Sequence, residues 1–185
     1  MRAVDARTME QLIAAVNAGS PVKYLFFWGH TRKAGADLGS WVFSQWFPAP
    51  FEVDGERFAT AEHWMMAGKA ALFGDDEMRA RILQSGSPKE AKALGRQVRG
   101  FDDAAWSAHR FDLVVRGNVH KFASREDFRS YLLGTGARVL VEAAPRDRIW
   151  GIGLGAERAA NTHPSGWRGQ NLLGFALMEA RDRLA

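Results

Sequence analysis

Cysteine is absent from this chain of 185 residues. Its absence excludes a disulfide framework, a thiolate nucleophile and every cysteine-based metal site. Long apolar runs are missing as well. No stretch reaches the roughly 18 apolar residues that suggest a membrane span, so no membrane partner is expected. The opening MRAVDARTMEQLIAAVNAG mixes charges through its apolar positions and reads as a helix within residues 1–19, not as a signal peptide. A cytoplasmic location is the expectation. His30, His63, His109, His120 and His163 fall in no H-E-x-x-H or comparable ligand spacing, so neither a metal nor a cofactor is expected. Neither G-x-S-x-G nor a Walker A motif occurs. Gly151, Gly153 and Gly155 alternate, which does not match the dinucleotide fingerprint G-x-G-x-x-G. Repeats, low-complexity tracts and linkers are lacking too, and the expectation is one domain over 1–185.

What is present is a 46% hydrophobic chain with a net charge of +4, enough to bury one substantial core. The charge is uneven. From Arg79 to Arg148 there are 14 Lys and Arg against 8 Asp and Glu. Such an excess suits a phosphate-bearing ligand or nucleic acid, or simply a solvated basic surface.

Patterning predicts a first helix over 4–17 and a buried strand over 22–28, followed by a surface loop over 30–40. A hairpin over 51–58 should turn at Asp54-Gly55. Thr60 then caps a helix. Ser87-Pro88-Lys89-Glu90 combines an N-cap, a proline at the first helical position and a capping-box glutamate. Asp102 or Asp103 opens a long helix to about Phe122, and Ser124 caps the next. A short strand over 138–143, an extended or loop-like stretch over 149–154 and a terminal helix over 169–184 complete the chain. The class is mainly α with a small β element.

Three constellations carry candidate chemistry. Glu62 and Lys69 lie seven residues apart on the helix behind Thr60. At about 100° per residue they share one face, roughly 10 Å apart along the axis. Glu62 occupies the first turn, where the dipole favours a carboxylate. It could stabilise a developing cation, or simply place a solvated charge well. Lys69 sits among Ala67, Gly68 and Ala70, which permit close approach of a ligand. It reads as a nucleophile toward a sugar aldehyde or as a snorkelling surface lysine. The second constellation is the set of seven tryptophans. Trp28, Trp46, Trp150 and Trp167 occupy non-periodic places, and Trp106 follows Asp102 by one turn; each can stack on a planar ring or pack in the core. The third is WGIGLG followed by WRGQNLLG. Here Arg168 and Asn171 stand at a helix start suited to a diphosphate or carboxylate.

FFWGH, FSQWFPAPFEVDGERFATAEHWMMAGKA, WGIGL and WRGQNLLGFALMEARDRL, in that order, resemble the NADAR (YbiA-like) family over about 24–184. The resemblance implies a compact, single-domain, mostly helical YbiA-like fold with a small hairpin and short strands, and a metal-independent N-glycosidase activity. Some members of the family hydrolyse phosphorylated riboflavin-pathway intermediates, and others remove ADP-ribose from guanine. By position, Glu62 is similar to the family's catalytic carboxylate. Lys69 is similar to a lysine with a covalent Schiff-base role. Trp106 is similar to a pocket tryptophan. Phe27, Trp28, Gln45, Trp46, Trp150, Gly151, Arg168 and Asn171 then join Trp106 as substrate-binding residues. Two departures stand out: Ile152 replaces an acidic residue of some riboflavin-pathway members, and Gln45 replaces an asparagine. The expected partner is a small phosphorylated ribosyl compound. The alternatives are an ADP-ribosyl-guanine glycohydrolase acting on nucleic acid, and a non-catalytic ADP-ribose- or NAD-binding module.

Overall fold

The computed structural model describes residues 1–32 and 34–185. In chain order the elements are α1 (Met9–Asn17), β1 (Tyr24–Phe27), β2 (Phe51–Val53), β3 (Glu56–Phe58), α2 (Ala61–Leu72), α3 (Asp76–Gln84) and α4 (Pro88–Gly95). They continue with α5 (Asp103–Ala123), α6 (Glu126–Leu133), β4 (Val139–Glu142), α7 (Ala156–Ala160) and α8 (Leu172–Leu184), with short 3₁₀ turns at Ala3–Asp5, Ser40–Phe43 and Pro164–Gly166. The mainly α class with a small hairpin is therefore observed. The chain divides into two compact units. Unit 1 holds Met1–Ser44 and Ser130–Ala185, and unit 2 holds Gln45–Arg129.

Unit 1 is organised on a parallel pair. β1 runs beside β4, with Tyr24 opposite Val139 and Phe27 opposite Glu142. Val139, Leu140 and Val141 are all buried, the continuous apolar run expected of a strand covered on both faces. α8 packs on β4 at unusually short range, and Gly174 makes this possible. A Cβ there would lie 2.1 Å from the Leu140 carbonyl oxygen. Just before the helix, Asn171 takes a left-handed conformation, φ 52°. Its Oδ1 accepts from the Glu142 amide at 2.9 Å, and its Nδ2 donates to the Leu140 carbonyl at 2.9 Å. One side chain thus occupies both hydrogen-bonding roles on the edge of β4 that faces away from β1.

Unit 2 is helical around the hairpin. β2 and β3 pair antiparallel across Asp54 (φ 53°) and Gly55 (φ 80°), the two positive dihedrals that a tight two-residue turn needs. Phe51 stacks on Phe58 across the strands, and Phe58 meets Trp64 of α2 edge-on with centroids 4.9 Å apart. Asp75 joins three segments of this unit. It caps α3 by accepting from the Met78 amide and takes the Arg99 backbone amide and guanidinium on the same carboxylate. Arg99 holds that carboxyl well below the usual range.

Several expected elements differ. The helix over 4–17 breaks, because Ala6 is extended and Thr8 caps the real start by accepting from the Gln11 amide. The loop over 30–40 ends in a 3₁₀ turn that buries Trp41, Val42 and Phe43. α3 was not anticipated. Ser124 does not cap α6; its hydroxyl donates back to the Lys121 carbonyl and closes α5. Glu90 completes its box one residue early, on the Gly86 amide. α8 begins at Leu172, not 169, because the left-handed Asn171 turns the chain first.

Gly174→Ala tests the α8–β4 approach. Alanine is the better helix former by about 1 kcal/mol, yet the clash is with backbone that cannot rotate away. Overpacking of this kind costs about 1–3 kcal/mol, so the urea midpoint should fall with the slope unchanged. A raised midpoint would reject the close approach.

Candidate active site

The first turn of α2 is held by an interlocked cap. The Thr60 hydroxyl accepts from the His63 amide at 3.3 Å and lies 2.8 Å from His63 Nδ1. His63 Nε2 lies 3.2 Å from the Ser85 carbonyl, which can only accept, so Nε2 carries a proton, and in the neutral ring Nδ1 accepts from Thr60. Burial pushes the His63 pKa below its ordinary value, in agreement with that tautomer. Adjacent to Glu62 in the helix, His63 points about 100° away from it and packs at the helix start.

This cap sets the direction of Glu62, whose backbone amide donates to the Gln45 carbonyl at 3.0 Å. Glu62 is 2% exposed. A solvated charge at a helix end is therefore excluded. Lys69, on the same face, is neither a snorkelling lysine nor a free amine. It is half-buried, donates to the Gly95 carbonyl at 2.8 Å, and lies 4.2 Å from the Phe101 ring centroid and 5.7 Å from that of Trp106. Burial lowers its pKa. Trp106 is itself buried, so its ring serves this amine as a wall. Trp46 is half-buried with Lys92 over its ring.

Two residues escaped the sequence reading. Asn118 and Lys121, one turn apart on α5, are both fully buried. Asn118 donates to Gln45 Oε1 at 3.1 Å and to the Val114 carbonyl at 2.9 Å. Burial pulls the Lys121 ammonium down to about 7. The available signal was the pair of polar residues, Asn118 and Lys121, on the face of VVRGNVHKF that also buries Val114, Val115 and Phe122. Unit 2 also contains a cavity of about 390 Å³ floored by Ala67, Gly68 and Ala71 with Phe58 and Trp64. Those helix positions lie roughly 120–180° around α2 from Glu62, so this cavity opens on the opposite face.

Unit 1 carries the other predicted residues. Phe27 is buried edge-on to Phe43, while Trp28 is 67% exposed. Both line a cavity of about 350 Å³ with Trp41 and Ala143. Trp150, Gly151, Arg168 and Asn171 are gathered into one backbone knot. Asp147 Oδ1 accepts from the Ile149 and Trp150 amides, and the Arg168 amide donates to the Ile152 carbonyl. The amides of Asn171, Leu172 and Leu173 donate to Gly151, Ile149 and Trp150. The free amides expected at this helix start are thus occupied, which removes the dipole-based anion site. The Arg168 side chain remains exposed, and Ile152 is fully buried.

A family model of the NADAR domain matches residues 26–185. The chain belongs to the NADAR family. Among similar proteins, the N-glycosidase R617 of Acanthamoeba polyphaga mimivirus is 44% identical over 165 residues, covering 86% of this chain and 95% of that protein. The N-glycosidase YbiA of Escherichia coli is 31% identical over 143 residues, covering 77% and 81%. An NMR structure of E. coli YbiA superposes with a TM-score of 0.68 at 28% identity, covering 87% of this NADAR chain and 84% of that one. Among the described residues no helix is long and apolar enough to cross a membrane.

The buried His63 of this NADAR chain predicts a pH dependence. The unfolded state takes up a proton near the ordinary value of 6.5 while the folded ring resists it, so stability is complete above that pH and falls as pH drops through it. His63→Gln should flatten the decline between about pH 6.5 and 5. Chemical unfolding at each pH measures this, and parallel curves for the two proteins would reject it.

Proposed function

We propose that the chain hydrolyses the ribose C1–N bond of a small phosphorylated nucleotide-like substrate, with Glu62 as the group that faces the reacting carbon. The enzyme class rests on family membership together with relatives named N-glycosidases: the chain is a hydrolase acting on N-glycosyl bonds, and the non-catalytic binding module is set aside. The observation that carries the residue assignment is the burial of Glu62 in a rigid first turn.

Cleavage of a ribosyl C1–N bond builds positive charge on C1 and the ring oxygen as the base departs with the bonding pair. A fixed carboxylate in a dry environment stabilises that charge without reorganising, and a comparable preorganised contact is worth about 3–4 kcal/mol. The same carboxylate can take a proton from the attacking water. The excess of Lys and Arg from Arg79 to Arg148 supports a phosphorylated substrate.

One observation favours an ADP-ribosyl conjugate of guanine as a second reading. Burial lowers the Lys69 pKa, which increases the neutral amine able to add to C1 as the ribose ring opens. The guanine nitrogen leaves with the C1–N bonding pair and takes up a proton, which gives an imine between Lys69 and the sugar. Water then hydrolyses the imine and returns the amine.

Activity assays on ADP-ribosylated guanosine and on phosphorylated riboflavin-pathway intermediates separate the two substrates. Glu62→Gln keeps the shape and should lose about 100-fold or more in kcat on whichever is cleaved. Near-normal turnover would end the assignment of Glu62. Lys69→Arg keeps the charge but forms no imine. A covalent role predicts collapse of activity and a borohydride-trapped sugar adduct on the wild type alone. Retained activity assigns Lys69 to its bond with Gly95.

A further inference from the structure

We infer that Gln45 and Asn118 form an amide pair that reads a ribose hydroxyl of the substrate, donating to it from Gln45 Nε2 and accepting from it at Asn118 Oδ1. The inference rests on the N-glycosidase reading above and adds the group by which the sugar is recognised.

A single backbone carbonyl fixes the orientation of both amides. Val114 O lies 2.9 Å from the Asn118 amide and can only accept, so the atom facing it is nitrogen. The same nitrogen donates its second hydrogen to Gln45 at 3.1 Å, so the facing Gln45 atom is oxygen. Exchanging the ends of Asn118 would set oxygen against the Val114 oxygen, and exchanging those of Gln45 alone would set nitrogen against nitrogen. Two atoms are left over: Gln45 Nε2 and Asn118 Oδ1, both buried and without a hydrogen-bond partner. Gln45 is 7% exposed and Asn118 0%. Buried polar atoms in native proteins are satisfied, and an orphaned donor beside an orphaned acceptor marks a place for a missing group.

The chemistry of that group is constrained. An anion would satisfy Gln45 Nε2 but meet the lone pairs of Asn118 Oδ1, and a cation would do the reverse. A hydroxyl accepts from one and donates to the other with a single oxygen. Gln45 is also tied to the residue proposed to face the reacting carbon, because its backbone carbonyl accepts from the amide of Glu62 at 3.0 Å. The hydroxyls on C2 and C3 of the ribosyl group are the neutral donor–acceptors nearest to a carboxylate that faces C1.

Calorimetric binding of ribose 5-phosphate, 2-deoxyribose 5-phosphate and 3-deoxyribose 5-phosphate tests the pair without requiring turnover. The intact protein should bind ribose 5-phosphate at least about tenfold more tightly than one of the deoxy sugars, since a site built around a hydroxyl is left with unpaired groups when it is missing. Gln45→Met removes both polar ends at similar length and leaves the Asn118 bond to Val114 in place. Asn118→Leu removes the acceptor. In each variant the preference should fall to near one. An unchanged preference in both folded variants overturns the inference, as does equal binding, or no binding, of the three sugars by the wild type. Failure of the N-glycosidase reading would appear elsewhere, as wild-type protein that cleaves no N-ribosyl substrate.

Discussion

Burying a carboxylate is expensive, and Glu62 is the group around which unit 2 has to be arranged. Removing an isolated ionised carboxyl from water costs several kcal/mol even after relaxation, unless local dipoles and hydrogen bonds replace the lost hydration. α2 supplies one part through the positive end of its dipole. The Thr60–His63–Ser85 lock supplies another by preventing the first turn from fraying, since a frayed turn would release the side chain to solvent. The bond from the Glu62 amide to Gln45 ties the incoming chain to the same turn. What results is a carboxyl held where water cannot reorganise around it, the condition under which the role proposed for Glu62 would be strongest.

The sequence was most legible where local chemistry dictates local structure. Asp54-Gly55 permits the tight turn, and Thr60, Ser87 and Asp102 all accept amides at the helix starts assigned to them. Glu62 was found by its place behind Thr60 and by its family motif; its burial could not be read from spacing, because seven residues on a helix specify a face without specifying what covers it. α3 was missed because Asp76, Glu77, Arg79 and Arg81 mask a narrow apolar stripe of Met78 and Ile82.

Other readings failed where tertiary bonds override local preference. Asn171 and the amides that follow it looked like a free helix start and are instead bonded to β4 and to residues 149–151. Of the two readings of Lys69, the solvated surface charge fails, because Gly95 and two aromatic rings hold the amine in place. Asn118 and Lys121 went unseen because a polar residue on a core face is noticed only once the face has been assigned. Their partners, moreover, are far away in sequence.

The parallel pairing of β1 with β4 has a consequence for how the chain is made. Tyr24 waits for Val139, so the strand pair of unit 1 cannot close until just over three-quarters of the polypeptide has left the ribosome. Unit 2 is contiguous, and its hairpin and the α2–α5 packing join neighbouring segments, so it can reach its own structure while β4 is still unmade. During that interval Phe26 and Phe27 of β1 have no strand partner, and a nascent apolar edge of this kind is what chaperones bind. Synthesis thus divides the molecule in time: the piece bearing Glu62 matures first, and the strand pair belongs to the final stage of assembly.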